Sequence, residues 1–328
     1  MSKLKLTVAC WNYDRTQGLR DGSVQPDGIE LNYLSLPVEE TFFRMVRYQE
    51  FDVAEMSLSS YTVSLFKDPR RFVAIPIFPS RFFRHSCIYV SAKSGIKTPK
   101  DLIGKKIGVP EYQMTAPVWI RGILAEHYGV PVDSVTYWTG GEEEPGRPEK
   151  QSIDLPANIK VQSIPEDKTL SQMLKDGEID ALHTARMPST FDNKHVVRLF
   201  PDFRKVELYY YRSTSLFPTM HTIAIRREVY EANRWIAQSL FKAFCEAQRR
   251  CYEDIKQTAA HMAMLPFLNA DIEEAIREMG DDYWPFGFEK NEKTLSTFLR
   301  YHYESGLSKR LLKPAELFAP ETLEAFKI

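Results

Sequence analysis

Strand-like and helix-like patterns alternate through the first sixty residues, and this alternation restricts the fold more than any other feature of the chain. Three short runs rich in apolar and β-branched residues have the pattern of strands; they span residues 4–10, 29–34 and 51–56. Pro37 opens a helical pattern between the second and third runs, and the hydroxyls from Ser57 to Ser60 can cap a further helix. Strands that alternate with helices predict an α/β lobe with a mainly parallel sheet.

The elements predicted for this lobe end at residue 92, and further elements of the same lobe begin after residue 204. The intervening stretch contains a polar linker (93–99), a strand from 107, helices at about 115–128 and 169–176, and a strand at 179–182. An extended stretch (206–211), a strand (217–225) and helices at about 228–257, 269–279 and 292–305 follow. We therefore predict two α/β lobes with a hinge and an interlobe cleft: lobe I from residues 1–92 and 205–328, and lobe II from 93–204.

Composition excludes several classes of protein. The 328 residues carry 43 basic and 44 acidic side chains, so bulk charge does not favour a nucleic-acid partner. The four cysteines show no CxxC spacing, and no histidine has a partner at metal-ligand spacing, so we predict no metal site and no cofactor. The N-terminus enters a strand directly and no apolar run is long enough to span a membrane, which leads us to expect a cytoplasmic protein.

Residues 79–90 combine two arginines and a histidine with a buried strand. Arg81, Arg84 and His85 precede the apolar run 87–90. Guanidinium groups bind carboxylates as planar forks, and an imidazole transfers protons near neutral pH. The stretch therefore predicts a pocket for an acidic small molecule that undergoes proton chemistry. The alternative interpretation is that the arginines are solvated and His85 is structural.

Several stretches of the chain resemble one family. They include ACWNYDR (9–15), GVPEYQMT (108–115) and FPTMHT (217–222), with further matches at 37–45, 84–86, 140–148, 280–282 and 316–321. They are similar to the 4,5-dihydroxyphthalate decarboxylases, and the discontinuous lobe resembles the type II periplasmic-binding-protein fold. The likeness covers essentially the whole chain. Asn12, where Asp is common, and His183, where a less polar residue is expected, depart from the family pattern.

The resemblance implies a decarboxylation of 4,5-dihydroxyphthalate to protocatechuate and CO2, without a redox change, in phthalate degradation. Each ring hydroxyl of this diacid is para to one carboxylate. Deprotonating the phenol therefore pushes electron density onto the carbon that bears the carboxylate, protonation there gives a ketone-like intermediate, and CO2 loss restores aromaticity. The site needs a base, an acid and cations that hold the second carboxylate.

We select candidate residues by their positions directly before or after the predicted strands. We favour His85 as the acid because it shares its loop with two arginines, and we expect arginines to clamp the carboxylates. The predicted catalytic groups are His85, His221, Asp14 and Glu55. The predicted substrate contacts are Arg81, Arg84, Arg186, Arg15, Trp11, Tyr13, Gln113, Thr115 and Ser57. Alternatives remain open: Asp14 and Arg15 can form an internal ion pair, and Arg186 a surface salt bridge.

Two further functions remain possible on the sequence alone. A receptor for an aromatic carboxylate would use the same fold but needs export, and the chain shows no predicted signal for it. Pyrimidine-synthase relatives would need a histidine-rich motif that is absent from the sequence. We expect a homo-oligomer that acts on a small aromatic dicarboxylate, with no nucleic-acid or membrane partner.

Overall fold

A computed structural model describes residues 2–147 and 149–324. Its strands are β1 (Leu4–Cys10), β2 (Ile29–Ser35), β3 (Val53–Ser57), β4 (Phe72–Ile75), β5 (Ile88–Ser91), β6 (Lys106–Val109), β7 (Thr136–Thr139), β8 (Lys160–Ser163), β9 (Ala181–His183), β10 (Val196–Arg198) and β11 (His221–Arg226). Its helices are α1 (Gln17–Arg20), α2 (Val38–Tyr48), α3 (Leu58–Ser64), α4 (Thr115–Tyr128), α5 (Leu170–Asp176), α6 (Phe203–Thr214), α7 (Arg227–Ala232), α8 (Trp235–Ile255), α9 (Leu268–Met279) and α10 (Glu292–Glu304). Within the described residues, no helix has the length and apolar character needed to cross a bilayer.

The first sheet has the strand order β2-β1-β3-β11-β4. Strands β2, β1 and β3 are parallel, whereas β11 runs antiparallel to both β3 and β4. The register pairs His221 with Ser57 and Ile223 with Glu55. Because side chains alternate between the two faces of a strand, His221 and Glu55 lie on the same face as diagonal neighbours.

The second sheet has the order β10-β5-β9-β6-β7-β8. Strands β9, β6, β7 and β8 are parallel, and β5 pairs antiparallel with β9 and β10. Its core contains Tyr89, Leu170, Leu174 and Leu182. Gly108 on β6 lies close to the packed side chains, because a Cβ there would meet Ile179 Cδ1 at 2.6 Å and displace the end of that side chain.

The chain divides into two compact units. Unit 1 comprises residues up to 81, residues 219–293 and those from 314 onwards, and unit 2 comprises residues 82–218 and 294–313. These boundaries differ from the predicted ones. Residues 88–91 lie in unit 2 because the backbone of β5 pairs with β9 and β10, and residues 294–313 lie there because Phe298 and Tyr301 pack on Trp119 of α4.

Most predicted elements are confirmed, with local corrections. The first three strands are present, Ser57 caps α3 by accepting a hydrogen bond from the Ser60 amide, and Gly177 ends α5 with φ at 81°. The stretch 206–211, predicted as extended, lies inside α6, where Tyr209 is exposed, Tyr210 is buried and Tyr211 is half-buried because consecutive residues of a helix face different directions. The helix predicted at 228–257 is interrupted at Asn233, where φ is −148°. Thr115 is the first residue of α4, and Met114 precedes it as the cap.

Candidate active site

The Glu55 carboxylate lies at the centre of a hydrogen-bond network in unit 1. Glu55 is fully buried on β3, and its Oε1 atom is 2.6 Å from His221 Nδ1 and accepts a hydrogen bond from the Tyr13 hydroxyl at 2.7 Å. Its Oε2 atom accepts from the Trp11 backbone amide at 3.0 Å and from the Cys10 thiol at 3.4 Å. A buried carboxylate with this many donors is satisfied rather than strained.

The fold explains how these residues meet. Trp11 and Tyr13 follow the carboxyl end of β1, and β1 runs parallel to β3 with Ala9 opposite Ala54. Residues that follow the carboxyl ends of neighbouring parallel strands share one edge of the sheet, where α/β proteins bind ligands. The antiparallel β11 then places His221 beside the same carboxylate.

The network controls which of its groups are charged. Burial alone would raise the pKa of Glu55, but His221, through its charge and its hydrogen bond, together with the Trp11 and Tyr13 donors, holds that pKa below its ordinary value. Burial, followed by the charge of Glu55, raises the pKa of the Tyr13 phenol far above its ordinary value. Glu55 is therefore a carboxylate and Tyr13 a neutral hydrogen-bond donor at neutral pH.

His221 has the geometry of an oriented acid–base group. Its side chain is 16% exposed, Phe42 contacts the ring edge-on at 4.8 Å, and Nε2 makes no hydrogen bond within the described residues. A proton on Nδ1 that is donated to Glu55 leaves Nε2 to exchange a proton with a ligand. A carboxylate that holds an imidazole in one orientation and stabilises its protonated form is a recurrent catalytic arrangement.

Arg15 lies beside this network, held between two aromatic rings. Its guanidinium carbon is 4.2 Å from the ring centroids of both Tyr13 and Trp284, Nε donates to the Pro79 carbonyl at 2.6 Å, and Nη1 donates to Asp14 at 2.8 Å. Nη2 makes no hydrogen bond within the described residues. The Asp14–Arg15 ion pair, which the sequence left open as an alternative, is therefore present.

The other candidates of unit 1 contact the protein itself. Asp14 is 38% exposed and bonds to the amide and the guanidinium of Arg15. Arg81 is buried, donates to the Pro285 carbonyl at 2.7 Å and to the Asn291 side chain, and lies near the Phe78 ring. Its predicted role as a carboxylate clamp stays a prediction, and these bonds already use part of its donor fork. Trp11 has an exposed side chain, and Ser57 is buried at the cap of α3.

His85 lies in unit 2, whereas the sequence placed it in one lobe with His221. It is buried among Tyr128, Phe200 and Tyr210, with ring centroids 5.2–5.9 Å away, and within the described residues neither ring nitrogen has a hydrogen-bond partner. Burial, and then the charge of His127, lower the pKa of His85 to about 4. A neutral imidazole in this aromatic cluster fits the structural alternative better than the predicted acid.

The remaining predicted clamps also lie in unit 2. Arg84 is buried next to His85, contacts Cys87 Sγ at 3.5 Å through Nη1 and stacks over Phe82 at 4.8 Å. Arg186 is exposed, and its amide donates to the Thr184 hydroxyl at 3.2 Å. Whether either arginine binds a carboxylate stays a prediction.

The 108–115 stretch, which carries part of the family resemblance, bonds to Glu149, a residue that the sequence did not single out and that directly follows the 140–148 stretch. Gln113 and Thr115 are buried, and the Gln113 amide donates to Glu149 at 3.1 Å and to the Gln151 carbonyl at 3.2 Å. The Tyr112 amide donates to the other Glu149 oxygen at 2.5 Å. Burial, and then the charge of Glu111, raise the pKa of Glu149 to about 7. Gln113 thus bonds to the 149–151 segment, and Thr115 begins α4.

The described residues contain no group of three or more His, Cys, Asp or Glu side chains that could hold a metal ion. The Glu55 network holds one histidine, one carboxylate and a thiol whose pKa is raised by burial and by Glu55. The histidine and the thiol both contact the Glu55 carboxylate, and this arrangement supports proton transfer.

Comparisons with known proteins define first the class and then the family. No protein-family model matches the chain. A solved periplasmic sulfonate-binding protein, SsuA from Methylobacillus flagellatus, superimposes with a TM-score of 0.51 and 13% identity, covering 98% of this chain and 93% of that one. The chain therefore has the periplasmic-binding-protein fold, in the mixed α/β form with two sheets described above.

Two curated relatives are much closer in sequence. A 4,5-dihydroxyphthalate decarboxylase from Comamonas testosteroni is 44% identical over 330 residues, and the alignment covers the full length of both chains. A second, from Pseudomonas putida, is 45% identical over 217 residues, which is 66% of this chain and 84% of the relative. The chain belongs to the 4,5-dihydroxyphthalate decarboxylase family and is a carboxy-lyase.

Proposed function

We propose that this chain removes one carboxylate from 4,5-dihydroxyphthalate, or a close hydroxylated aromatic diacid, to give protocatechuate and CO2, and that the Glu55–His221 pair moves the proton. The observation that carries the mechanism is the 2.6 Å contact between His221 Nδ1 and Glu55. Family membership supports the substrate.

The proposed sequence of events balances in atoms and electrons. His221 Nε2 takes the proton of the phenol that is para to the reacting carboxylate, and the electron pair moves through the ring. The same nitrogen gives that proton to the carbon that bears the carboxylate. The bond to CO2 then breaks, its electron pair restores the aromatic ring as a phenolate, and the phenolate oxygen takes a proton from solvent. The net reaction consumes one proton, which solvent supplies. Glu55 stabilises the imidazolium between the two transfers.

This assignment moves the acid from His85, which the sequence favoured, to His221. Three aromatic rings surround His85, and burial keeps it neutral with a pKa of about 4. An acid must carry its proton near the working pH to be effective. His221 has a carboxylate to stabilise its protonated form, and His85 has no hydrogen-bond partner among the described residues.

Arg15 is the proposed clamp for the carboxylate that is retained. Tyr13 links the two functions because its ring stacks on Arg15 and its hydroxyl bonds to Glu55. Two aromatic rings hold the guanidinium in one orientation, so its Nη2 atom, which makes no hydrogen bond within the described residues, loses less conformational entropy when it donates to a carboxylate.

Turnover in heavy water tests the reaction. We expect chelator-treated protein to release CO2 from 4,5-dihydroxyphthalate and to form protocatechuate with one deuterium at the carbon that lost CO2, because protonation there is obligatory. Mass spectrometry and proton NMR measure both. Binding of the diacid without CO2 release would contradict the proposed reaction and favour a receptor for aromatic carboxylates.

Substituting Arg15 tests the clamp. We expect Arg15→Ala to raise the Kd of the diacid about 10- to 150-fold, because a charge-assisted hydrogen bond contributes about 1.5–3 kcal/mol. Calorimetry in a His221→Asn background measures binding while turnover is slowed about 10²- to 10⁴-fold. Arg84→Ala, prepared in the same background, tests the second predicted clamp, and Arg249→Ala on the exposed face of α8 is the control. An unchanged Kd in Arg15→Ala would remove Arg15 from the site.

A further inference from the structure

A small cavity of unit 1 is lined by three arginines. Its volume is about 250 Å³, and its charged lining, among the described residues, consists of Arg70, Arg227, Arg234 and Glu316. Exposed arginines are usually solvated one by one, whereas these three face a common space. We call it the arginine cavity.

Three separate parts of unit 1 form the arginine cavity. Arg70 precedes β4, the edge strand of the first sheet, and Arg227 begins α7. The third part is the stretch 316–321, whose Ala319 amide donates to the Ala74 carbonyl of β4 at 2.9 Å. This stretch carries part of the family resemblance and has no role in the decarboxylation proposed above. A function at the arginine cavity would account for it.

The arginine cavity is separate from the candidate active site. His221 is the first residue of β11, Arg226 is the last, and Arg227 follows directly. A strand rises about 3.3 Å per residue, so roughly 17 Å separates the two ends of β11. A ligand in the arginine cavity would therefore not contact the Glu55–His221 pair.

Arg227 is held in place by its own chain. Its Nη1 atom donates to Glu231 at 3.2 Å, and its Nη2 atom donates to the Phe72 carbonyl at 3.3 Å. Its Nε atom is buried and has no hydrogen-bond partner in the part of the chain that the structure describes. A buried donor without an acceptor costs free energy. Arg227 is thus fixed at the cavity with one donor unsatisfied.

Arg70 and Arg234 supply two further guanidinium groups. Both side chains are exposed, and neither guanidinium makes a hydrogen bond or an ion pair within the described residues. The guanidinium carbon of Arg234 is 5.8 Å from the centre of the Tyr230 ring. Their donor forks are therefore available to a ligand.

Two buried tyrosines that line the cavity report that the three charges act close together. Burial raises the pKa of both the Tyr61 and the Tyr230 phenol. The charges of Arg227 and Arg70 oppose this rise in pKa at Tyr61, and those of Arg234 and Arg227 oppose it at Tyr230. Because Coulomb interactions weaken with distance, the three guanidinium groups lie near one another.

The neighbouring carboxylates leave this positive charge partly uncompensated. Glu231 pairs with Arg227, and Glu321 accepts a hydrogen bond from the Tyr230 hydroxyl at 2.9 Å. Within the described residues, no carboxylate pairs with Arg70 or Arg234. A cleft lined by charges of one sign concentrates ions of the opposite sign. The ligand that complements the cavity is therefore an anion.

The size of the cavity and the number of arginines select the kind of anion. Guanidinium groups bind carboxylates and phosphates as planar forks. A carboxylate offers two oxygens, which one fork occupies, whereas a phosphate offers three or more and accepts from several guanidinium groups at once. The volume lies below the roughly 300–1,000 Å³ of sites for drug-sized ligands. Both properties favour a phosphate group on a small molecule.

We propose that the arginine cavity binds a phosphate group, as inorganic phosphate or as a small phosphate ester, at a site separate from the one that performs decarboxylation. Bound phosphate connects the segment before β4, the start of α7 and the stretch 316–321. It therefore stabilises the folded form of unit 1, because only the folded chain brings these three parts together.

Calorimetry of the full chain with inorganic phosphate at constant ionic strength tests the proposal. We expect the unmodified protein to bind phosphate, and Arg70→Gln and Arg234→Gln each to raise the Kd about 10- to 150-fold, the effect of one charge-assisted hydrogen bond. Neither substitution removes a side-chain hydrogen bond or ion pair within the described residues, so the fold should be kept. Arg20→Gln removes the same charge from an exposed position of α1 and should leave the Kd unchanged. Absence of phosphate binding, or an unchanged Kd in both cavity variants, would overturn the proposal.

An Arg15→Ala variant separates this site from the candidate active site. Phosphate should bind it with the Kd of the unmodified protein, and lost binding would assign phosphate to the active site and reject the arginine cavity. The readout is phosphate binding, so it does not depend on the proposed decarboxylation. Phenyl phosphate, titrated in parallel, distinguishes an ester from the free ion: binding of either supports the proposal, and the lower Kd identifies the preferred source.

Hydrogen exchange locates the bound phosphate without any substitution. We expect phosphate to slow amide exchange in the stretch 316–321 and in α7, where the cavity walls become ordered, and to leave the exchange of β8 in unit 2 unchanged. Protection that develops only outside the stretch 316–321, α7 and the segment before β4 would reject the arginine cavity as the binding site.

Discussion

Replacing His221 with asparagine is expected to lower kcat about 10²- to 10⁴-fold, the contribution typical of a general acid–base group. Asparagine keeps a hydrogen-bonding side chain of similar size beside Glu55 but cannot titrate. Because Nε2 is the atom proposed to transfer the proton, the substitution removes the chemistry while the Kd of the diacid, set by arginine, changes little. Steady-state kinetics and calorimetry together measure the two effects.

Two companion variants make this prediction specific. Glu55→Gln keeps the shape of the buried side chain and removes the charge that stabilises the imidazolium, so kcat should fall within the same range. His85→Asn, at the histidine first favoured by the sequence, should leave kcat within about 10-fold of the unmodified enzyme, below the range for a lost acid–base group. Unmodified kcat in His221→Asn, or a larger loss in His85→Asn, would reverse the assignment.

The free energy of unfolding should decrease as the pH is lowered, because His85 is buried as a neutral group. Its pKa is lowered from 6.5 to about 4. Between those values the unfolded chain binds a proton that the folded chain does not, so the stabilisation is complete above about pH 6.5 and declines as pH falls towards 4. A shift of this size corresponds to a loss of about 3 kcal/mol. Urea unfolding at a series of pH values between 7 and 4 measures it.

His85→Phe isolates this contribution. Phenylalanine suits the surrounding Tyr128, Phe200 and Tyr210 rings and does not titrate, so the variant should lose less stability on acidification than the unmodified protein. His261→Gln, at an exposed histidine, is the control and should keep the unmodified pH dependence. His183, whose pKa burial and Arg121 lower to about 3, contributes equally to both proteins. Identical pH dependence in His85→Phe and the unmodified protein would contradict the interpretation.

Local sequence patterns predicted most of the secondary structure because the relevant forces act over a few residues. The apolar runs of β1, β2 and β3, the Ser57 cap and the left-handed Gly177 are decided by side-chain alternation, hydrogen bonding to adjacent amides and backbone sterics. The unit boundaries were harder to predict. The strand pattern of residues 88–91 is the same whichever sheet it joins, and only pairing with β9 and β10 assigns it to unit 2.

The sequence by itself determined the family, the α/β class and a short set of titratable candidates that already included Glu55 and His221. Only the tertiary structure decided how those candidates combine. Glu55 and His221 are 166 positions apart, and the antiparallel register of β11 against β3 brings them to 2.6 Å. The surroundings then distinguish two histidines that look alike in sequence: His221 hydrogen-bonds to a carboxylate, whereas His85 packs against aromatic rings. A proton-transfer group is defined by its surroundings in space, and distant strands supply those surroundings.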